Sequence, residues 1–582
     1  MPVAPNDPRT QARHAVRREP GNAMAWIVLS DVELDAGDAR NGAAAARHAL
    51  QLAPGHPEAL ARLGRAQWML GRHAEAADSL RAAARQAPQH PGIAVWLGHA
   101  LEDAGDAEGA NDAYAHAHAL APEHPLIAAH LLAWRRRLCD WRDLDRLSRQ
   151  VREAVRAGHG VVEPFAFLSE DATPVEQLQC ARLQARALAA RIRPLPPAPP
   201  RAADALLRVG FLSNGFGAHP TGLLTAAFFE ALDAQGAFET HLFALNRDDG
   251  SAIRQRLRRA ARRLHDVSGL AHASIAQRIR GTGIDVLFDL RGWGGGGAPE
   301  VLAMRPAPVQ VNWLAYPGTS GAPWIDHVLA DGFVLPGGLA PHFSEQVVRL
   351  PRCFQPSDTR REVPPAPARA DCGLPERTAD GGGVVFCCFN NSYKLNPRST
   401  ARALAVLRGV PGSVLWLLSG PGRADQRLRA FAETQAVDPR RLVFMPKQPH
   451  AAYLARLQLA DLFLDTEPYN AHTTASDALW VGCPVLTRPG DTFAARVAGS
   501  LNHHLGMEAM NVDGDDAFVA RAVALGRDRA ALADVRAELA RRRDASGLFD
   551  MAGFAADFAA AVRPMAERGR AGPAPGAPAV GP

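Results

Sequence analysis

The chain has 582 residues, 47% of them apolar and 21% charged, with a net charge of +5 and seven cysteines. That length predicts two or more domains with an ordinary globular composition, and so small a charge excess gives no case for nucleic-acid binding. The scattered cysteines have neither zinc nor disulfide spacing, no span of membrane length occurs, and no basic stretch followed by an apolar core opens the sequence, so a reducing cytoplasm is the expected setting.

Internal repetition decides the first quarter. Pro20, Pro54, Pro88 and Pro122 are 34 residues apart, as are Gly37, Gly71 and Gly105. A 34-residue period with helical patterning is the tetratricopeptide signature. Trp26, Leu60 and Ala94 recur in the first helix of each repeat, followed three residues later by Leu29, Leu63 and Leu97, with Ala49, Ala83 and Ala117 where two helices approach. About three complete repeats follow, with a fourth imperfect unit after Pro122 as a cap, and the array is placed at residues 1–139. Residues 140–204 are expected to be a helical transition ending in a stiff Pro194–Pro200 connector.

Beyond the connector the periodicity changes. Arg208–Ser213, His241–Leu245, Ile284–Leu290 and Val309–Leu314 read as short buried strands between helices, the alternation of a parallel α/β sheet. The arginine run Arg254 to Arg263 reads as the solvated face of one of those helices. This first α/β domain is placed at 205–363 and a Pro/Ala/Gly-rich linker at 364–383. The alternation then restarts with Val384–Phe389, Val414–Leu418, Leu442–Phe444, Leu462–Leu464 and Pro484–Thr487, giving a second α/β domain at 384–568. Residues 569–582, rich in Gly, Ala and Pro, are expected to be disordered. Asp248-Asp249 and Asp513 to Asp516 superficially resemble metal carboxylates, but both stand beside Gly in turn-like sequence.

Two loops of the second domain concentrate the chemistry. Only two lysines occur against 63 arginines, and one of them, Lys394, follows a predicted strand and precedes Pro397, which opens a helix. A compact ammonium kept where the chain otherwise writes arginine suits a phosphate contact. About 80 residues on, Asn470-Ala471-His472-Thr473-Thr474-Ala475-Ser476-Asp477 joins a strand to a helix, so free N–H groups at the helix start face an anion. Tyr316, Tyr393, Tyr453 and Tyr469 are expected in loops of the same region.

The tetratricopeptide array, followed by Arg208–Phe211 with His219-Pro220-Thr221, Arg305–Gln310 with Tyr316–Gly321, the Lys394 loop and His472-Thr473-Thr474, resembles the O-linked N-acetylglucosamine transferase family, including its SPINDLY-like members. The resemblance implies an α superhelix followed by a GT-B fold of two Rossmann-like domains. It implies inverting transfer of N-acetylglucosamine from UDP-N-acetylglucosamine to Ser and Thr hydroxyls of proteins, with no obligatory metal or other cofactor. By that likeness Lys394 neutralises the leaving diphosphate, His472, Thr473 and Thr474 hold its β-phosphate, and Asp477 accepts from the ribose. His450, Tyr453 and Arg456, near Gln448, line the uracil, Asn391 is a further nucleotide-sugar-binding residue in the Lys394 loop, and Leu314 to Gly318, with Leu314 and Pro317 foremost, line the sugar pocket. His219, after the first strand, is a candidate general base or acceptor-orienting residue; a donor phosphate oxygen or a solvent relay are the alternatives. Animal members carry Lys at the place of His450 and His at that of Tyr453, and glycines where Ala471 and Ala475 stand. Protein acceptors are expected along the repeat groove, with neither nucleic acid nor membrane as a partner. Two rivals remain: a GDP-fucose-dependent protein O-fucosyltransferase, and a peptide-binding scaffold with a degenerate transferase domain.

Overall fold

The computed structural model describes residues 7–160, 162–198, 201–202, 204–378 and 382–571. It divides into two compact units, one reaching to Val151 together with Gly420–Arg427, the other holding the rest.

In the first unit, the helices Ala23–Asp35, Pro57–Met69 and Pro91–Asp103 each pair with a following helix, Ala39–Leu52, His73–Gln86 and Ala107–Leu120. Gly37, Gly71 and Gly105 hold the intervening turns at φ of +81°, +74° and +83°, where a side chain would be strained. At Gly98 the reason is proximity instead: a Cβ there would meet Tyr114 Cε1 at 2.5 Å. The small residues let paired helices touch, and Ala49, Ala83 and Ala117 are fully buried. The fourth unit is more regular than a cap, because Pro125–Arg137 and Leu144–Arg156 form another pair of helices, and the unit boundary falls at Val151 rather than 139. Partly exposed rings line the first helices, with Trp68 against Trp96 at 5.7 Å and His99 against His130 at 4.8 Å.

The second unit carries two parallel sheets. The first comprises β1 (Arg208–Ser213), β2 (Glu239–Ala244), β3 (Arg263–Asp266), β4 (Val286–Asp289), β5 (Val309–Asn312), β6 (His327–Asp331) and β7 (Gln346–Leu350), in the order β3-β2-β1-β4-β5-β6-β7. The second comprises β8 (Val385–Cys388), β9 (Val414–Leu418), β10 (Leu442–Met445), β11 (Leu462–Leu464) and β12 (Val485–Leu486), in the order β10-β9-β8-β11-β12. Every pairing is parallel, so helices cover both faces and the inner strands β1, β4, β5, β8 and β11 are buried on both sides, while the edge strands β3 and β7 are partly exposed. Each order reverses once, at β1/β4 and at β8/β11, and ligands of such sheets bind beyond the strand ends at that reversal.

Three domain boundaries differ from the expectation. Helix Pro174–Ala189, placed in the transition, sends Ala185 and Leu188 into the core beneath the first sheet. The last helix, Met551–Ala571, follows the second domain in sequence but packs on the first: Phe554 lies 5.3 Å from Phe228, and Phe558 lies 5.0 Å from Phe288. Rings of the first sheet outweigh chain proximity, since an aromatic pair adds about 0.5–1.5 kcal/mol to its area burial. Gly569–Ala571 complete that helix, and the rest of the expected tail lies outside the described residues. The arginine run from Arg254 is helical only to Arg259; Arg263 opens β3, an edge strand whose polar alternation reads like a solvated helix.

Candidate functional site

At the β8/β11 reversal, β8 gives way to a 3₁₀ turn, Ser392–Lys394, and Asn396 then caps helix Pro397–Gly409 in a reciprocal box with Ser399. This tight path buries Lys394 under the loop that leaves β11. Its Nζ donates to the Asn470 carbonyl at 2.7 Å and stands 3.9 Å from the centre of the Tyr469 ring. Burial pulls the ammonium well below the usual lysine range, and the nearby Asp465 carboxylate is the charge that opposes the shift. Asp465, at the end of β11, accepts from Thr466 N at 2.8 Å, Ala471 N at 2.7 Å and Thr487 Oγ1 at 2.7 Å, so it shapes the loop that roofs Lys394. Burial pushes the pKa of its own carboxyl upward. Sequence reasoning missed Asp465; the available signal was an acid directly after the apolar run Leu462–Leu464.

The same loop leads into helix Thr473–Trp480. Thr474 Oγ1 donates to Asn390 Oδ1 at 2.9 Å, and Asn390 Nδ2 donates to Thr466 Oγ1 at 2.8 Å, which ties the β8 and β11 loops together. Thr473, the first residue of the helix, is half-buried, and Asn391 is exposed with its carbonyl accepting from Lys394 N. His472 Nε2 lies 3.1 Å from the Ala494 carbonyl, an acceptor only, so Nε2 carries the proton and Nδ1 the lone pair of the neutral ring. Burial and the Lys394 charge hold its imidazolium far below 6.5.

Of the residues expected around the base, the structure brings His450 and Tyr453 together, their rings 6.1 Å apart, while Gln448 bonds within its own loop. Gln448 lies on the loop after β10 with Nε2 donating to Pro446 O at 3.2 Å, and His450 begins helix His450–Leu457 with Nε2 3.3 Å from Asp477 Oδ2. Tyr453 stands one turn on, its ring 5.8 Å from Phe389. The expectation of a loop position for Tyr453 is corrected: it is helical, and its hydroxyl is buried without a hydrogen-bond partner. Arg456 does not join them. Its guanidinium donates to Ala452 O at 3.1 Å and sits beside Cys372, at the far end of the helix. Asp477 is engaged by the protein itself: Arg361 Nη1 donates to Oδ1 at 2.5 Å and His450 Nε2 lies 3.3 Å from Oδ2.

The first sheet supplies the opposing wall. His219 caps helix Pro220–Gln235, its Nδ1 accepting from Thr221 N at 3.2 Å. That bond puts the proton of the neutral ring on Nε2, so the atom free to meet a ligand is a donor. Burial, then the charges of Arg291 and Lys447, lower its pKa to about 4. The exposed Asp249 is a loop brace here: its Oδ2 accepts from Ala218 N at 2.7 Å. After β5, Leu314 is buried at φ +83°, a conformation costing a non-glycine residue roughly 1–3 kcal/mol and concentrated at functional sites. The loop survives because Asn312 Nδ2 donates to Gly318 O at 2.9 Å, and Glu345 accepts from Thr319 Oγ1 and Ser320 N, both at 2.6 Å. Pro317 is buried in it. Tyr316 packs in one apolar cluster with Tyr469, Trp293 and Tyr393, so loops of both sheets meet. Arg291, on the glycine-rich loop after β4, was not foreseen; it is half-buried with Nε donating to Gly295 O at 2.8 Å.

Among the described residues no group of three or more His, Cys, Asp or Glu side chains is placed to hold a metal ion, and no helix is long and apolar enough to cross a membrane. What the arrangement can do is receive a phosphate-bearing ligand on Lys394 and the helix start, and a second reactant beside His219.

Comparison with known proteins finds matches in both the repeat region and the α/β region. Residues 197–366 and 361–558 match glycosyl transferase family 41, and residues 27–91 and 61–125 match the tetratricopeptide repeat. The chain is 33% identical over 436 residues to the probable UDP-N-acetylglucosamine–peptide N-acetylglucosaminyltransferase SEC of Arabidopsis thaliana, covering 71% of this chain and 44% of the relative. It is 31% identical over 310 residues to the SPINDLY protein of Solanum lycopersicum, named as a probable transferase of the same kind, covering 52% of this chain and 32% of the relative. The chain thus spans less than half the length of these curated relatives. A mutant O-GlcNAc transferase from Thermobaculum terrenum has a similar solved structure, with a TM-score of 0.68 and 28% identity over 95% of this chain and 99% of that one.

Proposed function

Since the chain belongs to glycosyl transferase family 41, we propose that it moves N-acetylglucosamine from UDP-N-acetylglucosamine to Ser or Thr hydroxyls of protein acceptors, inverting the anomeric centre. The observation that carries this reading is the buried Lys394 ammonium at the β8/β11 reversal, beneath the start of helix Thr473–Trp480. As the anomeric C–O bond breaks, negative charge grows on the departing diphosphate. Donors already in place there stabilise the transition state more than the bound ground state. Lys394 supplies the charge, the N–H groups of Thr473 and Thr474 and the Thr473 hydroxyl the directed bonds, the Thr474 hydroxyl being spent on Asn390 Oδ1, and Asp465 keeps the loop and ammonium in register.

Across the cleft, His219 offers Nε2–H, which suits orienting the acceptor oxygen better than taking its proton. The proton then leaves to a donor phosphate oxygen or to solvent. His450 and Tyr453 flank the base, Asp477 shares its carboxylate with the ribose, and Leu314 to Pro317 bound the sugar. The helical repeats, with their partly exposed rings, hold the polypeptide acceptor. Calorimetric titration with UDP and GDP tests the donor assignment: UDP binds at least tenfold more tightly, a difference of about 1.4 kcal/mol. Tighter GDP binding would move the protein to the fucosyl reading.

A further inference from the structure

Asp477 is not held by its own domain alone. The segment that leaves the first sheet after β7 runs past helix Thr473–Trp480 and seizes it at two successive residues. Ser357 Oγ lies 2.8 Å from Ser476 Oγ. Arg361 spends its whole fork: Nη1 donates to Asp477 Oδ1 at 2.5 Å, Nη2 to Ser476 Oγ at 3.2 Å, and Nε to the Asp358 carbonyl at 2.6 Å. The Trp480 ring covers its remaining face at 5.4 Å. The side chain of Asp358 in turn receives Arg256 at 2.7 and 3.0 Å, and Arg256 pairs with Glu230 on helix Pro220–Gln235 at 2.8 and 2.9 Å.

The Arg361 side chain is 1% exposed and that of Asp477 4%. A guanidinium so deeply buried is tolerated when each of its nitrogens is engaged, and a planar fork fixes the plane of the carboxylate it grips in a way a lysine cannot. With Oδ1 pinned, Asp477 cannot turn about its terminal torsion, and Oδ2, shared with His450 at 3.3 Å, keeps one orientation. We propose that Arg361 is a positioning residue for nucleotide recognition: through Asp477 it gives the site its preference for a ribose over a deoxyribose. This rests on the reading that Asp477 meets the sugar of the nucleotide. A site built to pair a hydroxyl discriminates against the ligand lacking it because its own polar group is left unmatched, and a carboxylate free to rotate re-pairs and loses that penalty.

The test is calorimetric titration of the full-length chain with UDP and with 2′-deoxyuridine diphosphate, beside steady-state hydrolysis of UDP-N-acetylglucosamine. Wild type is expected to prefer UDP by about tenfold or more. Arg361→Gln should bring the ratio below about threefold, raising KM for the donor while kcat at saturation stays within about threefold, the split expected when ground-state binding is lost. Arg361→Lys, which keeps the charge without the fork, should fall between them. It carries the test should the Gln variant fail to fold. Ser357→Ala, which cuts the neighbouring tie, should leave the ratio intact. A folded Arg361→Lys or Arg361→Gln protein with the wild-type ratio overturns the proposal and leaves Arg361 a structural clamp. No preference in wild type would instead remove the premise that Asp477 meets the ribose.

Discussion

Replacing Lys394 by Met keeps the stem and deletes the charge. Two contacts vanish: a charged hydrogen bond to Asn470 O, worth about 1.5–3 kcal/mol, and a cation–π contact with Tyr469, worth about 0.5–2 kcal/mol. The variant also escapes the desolvation of a buried ammonium, a cost of several kcal/mol and the cause of the lowered pKa. Asp465 keeps Thr466 N, Ala471 N and Thr487 Oγ1, so its carboxylate is not orphaned. These opposing terms nearly cancel, and folding stability should change by less than about 2 kcal/mol. Catalysis has no such offset. Loss of one preorganised donor to a developing oxyanion costs about 2.7–4 kcal/mol, so turnover should fall by about 10²–10³ while UDP affinity falls modestly. Single-turnover hydrolysis of UDP-N-acetylglucosamine, with thermal unfolding of both proteins, separates the two. Near-wild-type turnover by a folded Lys394→Met protein would refute the leaving-group role.

Binding of UDP should be proton-linked. Lys394 starts below its ordinary value and a bound diphosphate raises it, so affinity is fully expressed below the free-protein value and declines as pH rises through it towards the complex's value. Calorimetry in buffers of different ionisation enthalpy should show proton uptake at pH 8 that Lys394→Met abolishes; equal heats in all buffers would contradict it. At His219, Asn can replace both the cap and the outward donor whereas Ala can replace neither, so Asn should retain more activity and about 1 kcal/mol more stability. Equal loss in both variants, with an acid limb near 4 in the wild-type rate profile, would restore the general-base role. Gly98→Ala should destabilise the repeats by about 1–3 kcal/mol in thermal denaturation, because its Cβ enters the Tyr114 ring; a stabilised variant would show that the helix pair can open there. Trp96→Ala should reduce glycosylation of protein acceptors without altering UDP affinity, and a parallel loss of both would place the repeats within donor binding.

Regular features were legible and relational ones were not. The 34-residue period located the helical pairs because each repeat packs the same positions against its neighbour. The strands β1, β5, β8, β9 and β11 announced themselves as apolar runs because both their faces are covered. β3, β6 and β7 passed unread: β3 and β7 form the sheet edges, where half the side chains face water, and β6 begins and ends on His327 and Asp331. In the site, Lys394 stood out by its rarity. Arg361 did not, since its partner Asp477 lies 116 residues away, and Asp465 offered only its place directly after an apolar run, which does not tell an acid that pins a loop from one that faces solvent. Arg456 illustrates the converse, a motif position whose side chain turns back to its own helix.

The return of helix Met551–Ala571 to the first sheet means that the polypeptide passes between the two sheet domains twice, once after β7 and once before Met551. Two tethers restrain relative motion more than one. A single peptide hinge lets a domain swivel about the connecting axis, whereas a pair leaves rocking as the easy mode and resists torsion. The loops after β1 and β8 therefore belong to domains joined by two covalent crossings rather than one. The same crossing makes the C-terminal stretch indispensable to the N-terminal Rossmann lobe: a nascent chain halted before Phe554 lacks two of the rings that close that lobe's core. During synthesis the lobe whose strands emerge first must wait for the last helix before it is complete.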